Sequence, residues 1–492
     1  MSASDKTIPI EPVPQGPDEV SLYEIRKKIY PRAVTGVFAR WRLSLVFATQ
    51  IVFYGLPWLT WNGRQAVLLE ITARKFYIFG LVLWPQDVIY LTALLIIAAC
   101  SLFLFTAVAG RLWCGYACPQ TVYTEIFLWV ERKIEGERPA RILLDRAPFS
   151  LEKLVVKGVK HTAWFAIALW TGYTFVGYFA PIRDLGIRAV TWNLGPWETF
   201  WVLFYGFATY GNAGFMREQV CKYMCPYARF QSAMFDRDTL IIAYDPERGE
   251  PRGARSKKAD ARAIGLGHCV DCNICVQVCP TGIDIRQGLQ YECIGCAACI
   301  DGCDQVMDRM GYPRGLIRYA SENALAQHFD TKAMWRRMLR PRTLIYTGLL
   351  LAIVAATGAS LYLRNPLKVD ILRDRGALAR EASPGVIENV YRLQIMNTDE
   401  KARQFTISAT GLPGLKVMGV TQPVDVGAAG MRLLPFQLQI SADAEAGDDE
   451  PDRKRRDDAR SKSGSHKIEI VVQAVDDPGI VRREHSSFLF PR

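Results

Sequence analysis

The sequence predicts a multi-domain membrane protein: an α-helical transmembrane bundle of about five spans, a cysteine-rich insert before the last span, and an all-β sandwich at the C-terminus. Three observations carry this. Five stretches free of Asp, Glu, Lys and Arg approach or exceed the ~20 residues of helix that cross a hydrocarbon core. Of 13 cysteines, all but Cys100 fall in C-x-x-C or C-x-x-x-C motifs, too few and too clustered for a disulfide scaffold. Residues 369–492 hold no cysteine and alternate short β-branched runs with turn residues. With 492 residues, 50% hydrophobic and only 22% charged, the chain is neither disordered nor fibrous. A net charge of +11 fits a membrane protein with basic cytoplasmic loops, and nothing beyond that charge points to nucleic acid.

Residues 1–40 form a polar, basic arm without the apolar core and cleavage site of a signal peptide. A four-span membrane domain is expected over 41–230, with spans at Leu43–Trp61, Val88–Gly110, Thr162–Ile182 and Thr199–Met216. The fourth is the shortest and carries Asn212; a fifth span follows at Thr343–Leu363, residues 343–363. Buried helices of a soluble protein are the plainer alternative for any one of them. Five in one chain, several flanked by Trp or Tyr, argue for lipid. Lys and Arg crowd the N-terminal arm (Arg26, Lys27, Lys28, Arg32, Arg40, Arg42), the loop after span two, and the segment between spans four and five. The positive-inside bias therefore places the N-terminus and residues 217–342 in the cytoplasm and the C-terminus outside, as in a bacterial inner membrane.

After a linker (231–260), residues 261–315 carry Cys269-Val-Asp-Cys272-Asn-Ile-Cys275-Val-Gln-Val-Cys279-Pro280 and then Cys293-Ile-Gly-Cys296-Ala-Ala-Cys299-Ile-Asp-Gly-Cys303. Three thiolates at i, i+3 and i+6 wrap one cubane face while the fourth crosses to the other cluster. The expected sets are Cys269, Cys272, Cys275 and Cys303 for one [4Fe–4S] cluster, and Cys293, Cys296, Cys299 and Cys279 for a second. This is a bacterial-type two-cluster ferredoxin domain. Structural zinc also uses C-x-x-C pairs, but it has no need for two tandem arrays of this period. Asp304 replaces the proline usual after the last cysteine, and the insert is acidic, with six acidic residues and two arginines from Gly265 to Gly311. A reducing cytoplasm would keep its thiols free of disulfides. Residues 316–342 read as a second linker.

A further cysteine set flanks the membrane. Trp113-Cys114-Gly115-Tyr116-Ala117-Cys118-Pro119 follows span two, and Cys221-Lys222-Tyr223-Met224-Cys225-Pro226 follows span four. Both read C-x-Y-x-C-P at the same point of a two-span unit, the mark of an internal duplication. Cysteines at i and i+4 would share a helical face, while the proline ends the helix and suits the first turn of another. Two such turns side by side would offer Cys114, Cys118, Cys221 and Cys225 to a soft ion, whether Cu(I), zinc or iron–sulfur; a disulfide or simple packing is the blander reading. Met216 and Met224 could add thioether contacts but suit packing better, Cys100 reads as a small core residue, and His161 and His268 are assigned nothing.

In residues 369–492, runs at Val390–Ile395, Gln404–Ala409, Leu433–Ile440 and Lys467–Val472 suggest a small β-sandwich, with the charged run Asp443–His466 as a solvated loop.

These motifs together resemble the accessory proteins of cbb(3)-type cytochrome c oxidases, the membrane-bound ferredoxin-like FixG/Rdx family. The resemblance covers nearly the whole chain; its most specific pieces are Trp113–Pro119, the paired cysteine arrays, Leu289–Cys299 and Met310–Tyr319, and Cys303-Asp304 matches the family's own variant. It implies that the C-terminal sandwich is immunoglobulin-like and periplasmic. It also implies reduction of Cu(II) to Cu(I) during oxidase assembly. A cytoplasmic donor would feed the clusters, Cys114, Cys118, Cys221 and Cys225 would hold the copper ion, and a copper chaperone or oxidase assembly factors would collect it. A homo-oligomer is compatible with this reading. Two rivals stand beside it: a quinol-linked relay resembling the membrane ferredoxin of periplasmic nitrate reductase systems, against which the large β-domain counts, and a non-redox copper-binding scaffold.

Overall fold

The structure, a computed structural model, describes residues 28–441 and 464–490 except 258, 260–264, 330–332, 334, 335, 338, 374–378 and 384. The start of the basic arm (with Arg26 and Lys27) and nearly all of the charged run from Asp443 lie outside the described residues.

Helix α1 (Val37–Gly55) opens the membrane part and stops two residues before Pro57, whose ring cannot continue it. It starts and ends six residues earlier than the expected span. The connection to α2 (Val88–Ala109) is not a plain loop: a two-stranded turn (β1, Thr60–Trp61; β2, Arg64–Gln65) precedes an antiparallel sheet of β3 (Val67–Glu70), β4 (Lys75–Ile78) and β5 (Leu81–Leu83). Then come α3 (Leu112–Tyr116), α4 (Pro119–Glu135), α5 (Arg138–Arg146), α6 (Leu151–Val176), α7 (Ile182–Val190) and α8 (Pro196–Thr209). The chain continues as π-helical turns at Tyr210–Met216 and Val220–Met224 before α9 (Pro226–Met234).

Among the described residues, two helices are long and apolar enough to cross a membrane: Pro85–Ala109, with mean hydropathy 2.6, and Pro341–Tyr362, with mean hydropathy 2.0. The other expected spans fold differently from their apolar stretches. Helix α6 begins eleven residues early, so its first turns carry Glu152, Lys153, Lys157 and Lys160. Helix α8 has 14 residues and gives way to the wider π-turns at Tyr210. The two lie backbone to backbone: a Cβ on Gly172 would collide with the Val202 carbonyl and sit 2.9 Å from Gly206 N.

The cysteine-rich unit is larger than its motifs. The segments expected as linkers supply β6 (Ile241–Tyr244) and β7 (Ile317–Ala320), which pair antiparallel and close the unit around the short α10 (Pro246–Gly249), α11 (Ile274–Gln277) and α12 (Ala298–Met310). Helices α13 (Glu322–Ala326) and α14 (Pro341–Tyr362) lead away from it. Helix α1 has no side-chain cap of its own; Asp301 of α12 supplies one, accepting from Phe38 N at 3.2 Å and Ala39 N at 2.7 Å.

The C-terminal region is a sandwich. One sheet runs β12 (Lys416–Met418), β14 (Met431–Ser441), β10 (Val386–Asn397), β8 (Leu367–Arg373), with β9 (Arg380–Ser383) also on β10. The other runs β13 (Val424–Val426), β11 (Arg403–Thr410), β15 (Gly464–Ala474), β16 (Val481–Phe490). Strand alternation points Tyr391, Leu393, Ile395, Phe405, Phe436 and Ile470 into one core. Met396 leaves that core to pack with Leu68, Tyr77, Val82 and Trp84 of the β3–β5 region. Asp87, 5% exposed, ties the two together through Arg364 at 2.6 Å and Lys368.

Candidate metal centres between the membrane part and the cysteine-rich unit

Each cysteine array folds the same way. In Cys269–Cys275 the residues Asp271 (φ 51°) and Asn273 (φ 55°) are left-handed; in Cys293–Cys299 the equivalent Gly295 (φ 69°) and Ala297 (φ 57°) are too. Left-handed backbone at alternate positions curls the loop so that its amides face inward, the concavity that suits iron–sulfur sites. For a non-glycine residue such as Ala297 this conformation is uncommon and persists where the surroundings demand it.

The structure brings Cys269, Cys272, Cys275 and Cys303 around one small cavity, also lined by Tyr244, Arg286 and Met307. A second small cavity is lined by Cys275, Cys279, Cys293, Cys296 and Cys299. Sulfur and hydrocarbon dominate both linings, with Ile283, Ile285 and Ile294 around the second and Arg286 and Asn273 the polar side chains of the first. Burial first, then neighbouring thiols, push Cys299 well above the ordinary thiol range. Burial pushes Cys293 and Cys303 up to about 12, and Cys275 up to about 11, where Arg286 partly opposes it. Buried thiols packed this closely ionise only when a cation takes up their charge. No three Cys, His, Asp or Glu side chains among the described residues converge on a single ion. Cubane clusters need no such convergence, because each thiolate binds its own iron. The donor set fits [4Fe–4S] clusters.

At the membrane face the expected i, i+4 pairing on one helical face does not occur. Cys114 lies in α3, but the helix ends at Tyr116 and Cys118 is extended (φ −62°, ψ 129°). Cys221 lies in the second π-turn, and Cys225 is likewise extended (φ −80°, ψ 109°). Each proline begins the next helix, so every pair straddles a helix end. The two turns nevertheless meet. Gln120, one residue past Pro119, donates its side-chain amide to the carbonyls of Asn212 (2.9 Å) and Arg217 (3.0 Å), on the chain leading to Cys221. Arg217 in turn pairs with buried Glu131 of α4 at 3.0 Å.

Burial pushes the Cys114 thiol up to about 12, with Cys118, Cys221 and Cys225 contributing, and pushes Cys221 up to about 12 with Cys118 and Cys225 contributing. Cys118 is raised by burial, against amides of Gln120 and Thr121 at the start of α4. The Cys114 sulfur donates to Gln231 Oε1 at 3.3 Å, and Gln231 is fully buried. No sequence signal distinguishes Gln231 from any other polar residue of an amphipathic helix.

The decisive contact joins the two cysteine regions. A Cβ added to Gly115, between the first pair, would stand 2.8 Å from the backbone of Cys296, and one on Gly295 would stand 3.0 Å from the Arg111 carbonyl. Cys114 and Cys221 pack into the same apolar cluster as Cys296 and Cys299. Tyr319 of β7 braces the joint, donating to the Gly295 carbonyl at 2.7 Å and meeting the Tyr116 hydroxyl at 3.4 Å. Cys100 sits apart on α2, Met216 lies in the first π-turn and Met224 is 56% exposed. His161 meets the Tyr210 hydroxyl at 2.9 Å, and His268 accepts from Arg248 and stacks on Tyr312.

Three family models match: a 4Fe-4S dicluster domain over residues 216–322, a 4Fe-4S binding domain over 91–136, and the IG-like fold at the C-terminal of FixG over 357–491. The chain is 41% identical to protein RdxA of Cereibacter sphaeroides over 461 residues, covering 90% of this chain and 96% of that one. It is 38% identical to the nitrogen fixation protein FixG of Rhizobium meliloti, covering 85% and 87%. The ferredoxin-type protein NapH of Haemophilus influenzae is more distant, 24% identical over 43% of this chain and 66% of its own length. With iron–sulfur domains, an Ig-like C-terminal domain and full-length relatives of this kind, the chain belongs to the FixG/Rdx family of membrane iron–sulfur electron-transfer proteins.

Proposed function

We propose that this protein takes single electrons from a cytoplasmic donor and reduces Cu(II) to Cu(I), supplying the copper centre of a cbb(3)-type cytochrome c oxidase. The observation that supports it above others is the backbone contact of Gly115 with Cys296, which puts the membrane-face cysteines against the second cysteine array. Iron–sulfur clusters, when bound, supply one-electron transfer. The chain's residues do the rest: Cys269, Cys272, Cys275 and Cys303, then Cys279, Cys293, Cys296 and Cys299, hold the relay. Two thiolates from among Cys114, Cys118, Cys221 and Cys225 receive the substrate ion, since no three of them converge on one position among the described residues. One electron converts Cu(II) to Cu(I), and soft thiolates favour the reduced product. Ile294 and Tyr116 are buried at this junction.

The reading includes five spans with the N-terminus and iron–sulfur unit in the cytoplasm and the Ig-like domain in the periplasm. Exposed apolar side chains on α1 (Phe47, Ile51) and α8 (Phe200, Phe204, Phe207), beside the two strongly apolar helices, support lipid contact for more of the bundle. The test is anaerobic copper reduction by purified protein with a Cu(I)-trapping dye. Serine at all four membrane-face positions should abolish it with the iron content of the eight-cysteine unit intact; an unchanged rate would overturn the assignment.

One observation favours a second reading. The 4Fe-4S binding domain over residues 91–136 contains Cys114 and Cys118 and none of the eight cysteines of the insert. If the membrane-face four hold iron–sulfur themselves, the protein is a longer relay. Iron analysis then finds about four more irons per chain than two clusters account for, and the fourfold serine variant loses them.

A further inference from the structure

We propose that Arg42 and Arg111 set the direction of electron flow, by making the inner set (Cys279, Cys293, Cys296, Cys299) easier to reduce than the outer set (Cys269, Cys272, Cys275, Cys303). This rests on both sets holding [4Fe–4S] clusters, but not on copper being the acceptor.

Arg42 comes from α1 and lines one cleft with Gly115, Tyr116, Glu125, Glu218, Cys221 and Cys296. Arg111 precedes α3, is 5% exposed, and holds the Ala228 carbonyl through one terminal nitrogen. Its own carbonyl abuts Gly295 in the loop between Cys293 and Cys296. The Nε atoms of both arginines are buried without a hydrogen-bond partner. Among the described residues neither arginine forms an ion pair, although Glu125 of α4 lines the Arg42 cleft and its charge acts on both Arg42 and Cys296. An Nε buried without a partner carries a desolvation cost that an anionic group beside these two arginines would offset. Metal sites built on thiolates are anionic and stand where they are needed. Arg111 also opposes the burial that raises Cys114, Cys221 and Cys293, so its charge is felt on both sides of the junction.

The outer set has the opposite surroundings. Its nearby cation, Arg286, is already taken by Asp271 (2.5 Å) and Asp284 (2.7 Å), and Asp304 adds a further negative charge beside Cys303. Cluster potentials follow net charge, hydrogen bonds to sulfur and solvent exposure. Exposure works against the proposed order, since Cys272 is exposed while Cys296 is buried, and burial makes an added electron harder to accept. Without compensation the inner set would be the harder to reduce, and electrons would stop at the outer one. Two arginines on the inner side, only partly offset by Glu125, against a net negative outer side, reverse that order.

The experiment is a redox titration of the full-length protein followed by EPR, with the inner signal identified as the one lost in C296S. Wild type should show the inner signal at the higher potential. R42Q and R111Q should each lower it by at least about 59 mV, a tenfold change in a one-electron equilibrium, with the outer signal unmoved. R111K, which keeps the charge, should stay near wild type. The proposal is overturned by an unmoved inner potential, by an outer signal that falls equally, or by R111K falling as far as R111Q. Where R111Q loads no iron, R42Q decides alone, because Arg42 lies on α1 outside both cysteine loops. Absence of two iron–sulfur signals in wild type would instead sink the cluster assignment itself.

Discussion

The cysteine-rich unit and the C-terminal sandwich are held together differently. The sandwich has two sheets whose facing side chains fill one core: Tyr391, Phe405, Phe436 and Phe488 are at most 1% exposed. Burying such a side chain contributes about 1.5–3 kcal/mol, so the core suffices without a cysteine or a metal. Between β6 and β7 the apolar side chains are fewer, and thiols occupy the places where a core would be. Grouped buried thiols stabilise nothing by themselves; they stabilise when metal replaces their protons. The attachments differ as well. The cysteine-rich unit meets the membrane part by backbone approach at Gly115 and Gly295 and by the Asp301 cap on α1. The sandwich meets the β3–β5 region through side chains, with Asp87 between Arg364 and Lys368, and Glu400 on Arg64 at 2.8 Å. Backbone contact tolerates almost no change, as an electron path requires, whereas side-chain pairs adjust.

The largest effect expected from this contrast is on iron removal. Anaerobic chelation should unfold residues 241–320 and leave the sandwich folded, read by hydrogen exchange along the chain; equal protection of both units after chelation would erase the distinction. In the opposite direction, Phe488→Ala should destabilise the sandwich by about 3–5 kcal/mol and leave the iron–sulfur spectrum unchanged. The joint itself is probed by Gly115→Val, whose side chain has no room against the Cys296 backbone. It should slow copper reduction by at least about tenfold, reckoned from a cost of 1.4 kcal/mol or more, with both clusters loaded. A variant as fast as wild type would remove Gly115 from the path. Glu400→Gln should weaken sandwich docking by only about 0.2–1 kcal/mol, because the pair is partly solvated. The smallest expected effect is acidic. Hydrogen bonds from Arg286 hold the Asp284 carboxyl below the ordinary carboxylate range, so its contribution is present above the unfolded value and is lost as pH falls through the folded one. Bleaching of the outer cluster should therefore begin at higher pH in Asp284→Asn than in wild type.

Much of this was legible in the amino-acid order because the signals are local. Cysteines three residues apart announce a metal loop, a charge-free run announces α2 or α14, and alternation announces the strands of the sandwich. Where neighbours in space are far apart in sequence, the reading ran out. Strands β6 and β7 pair across more than seventy residues and looked like linkers, and β3–β5 hid in a connection that carried few charges. The apolar stretches of α1, α6 and α8 mark where side chains are greasy, while the helices begin and end by caps, prolines and π-turns. Gln231 and Arg111 had no local mark, and Arg42 entered only as one charge of the basic arm: their importance lies in what faces them.

The amino-acid order alone thus determined which residues carry the chemistry and what kind of units they build, since ligand spacing and periodicity are properties of a few consecutive residues. Only the tertiary structure decided that the two cysteine turns meet, that Gly115 lies against Cys296, and that Arg42 and Arg111 stand beside the inner sulfur group. Those are contacts between residues up to about two hundred and fifty positions apart, and packing, not spacing, brings them together.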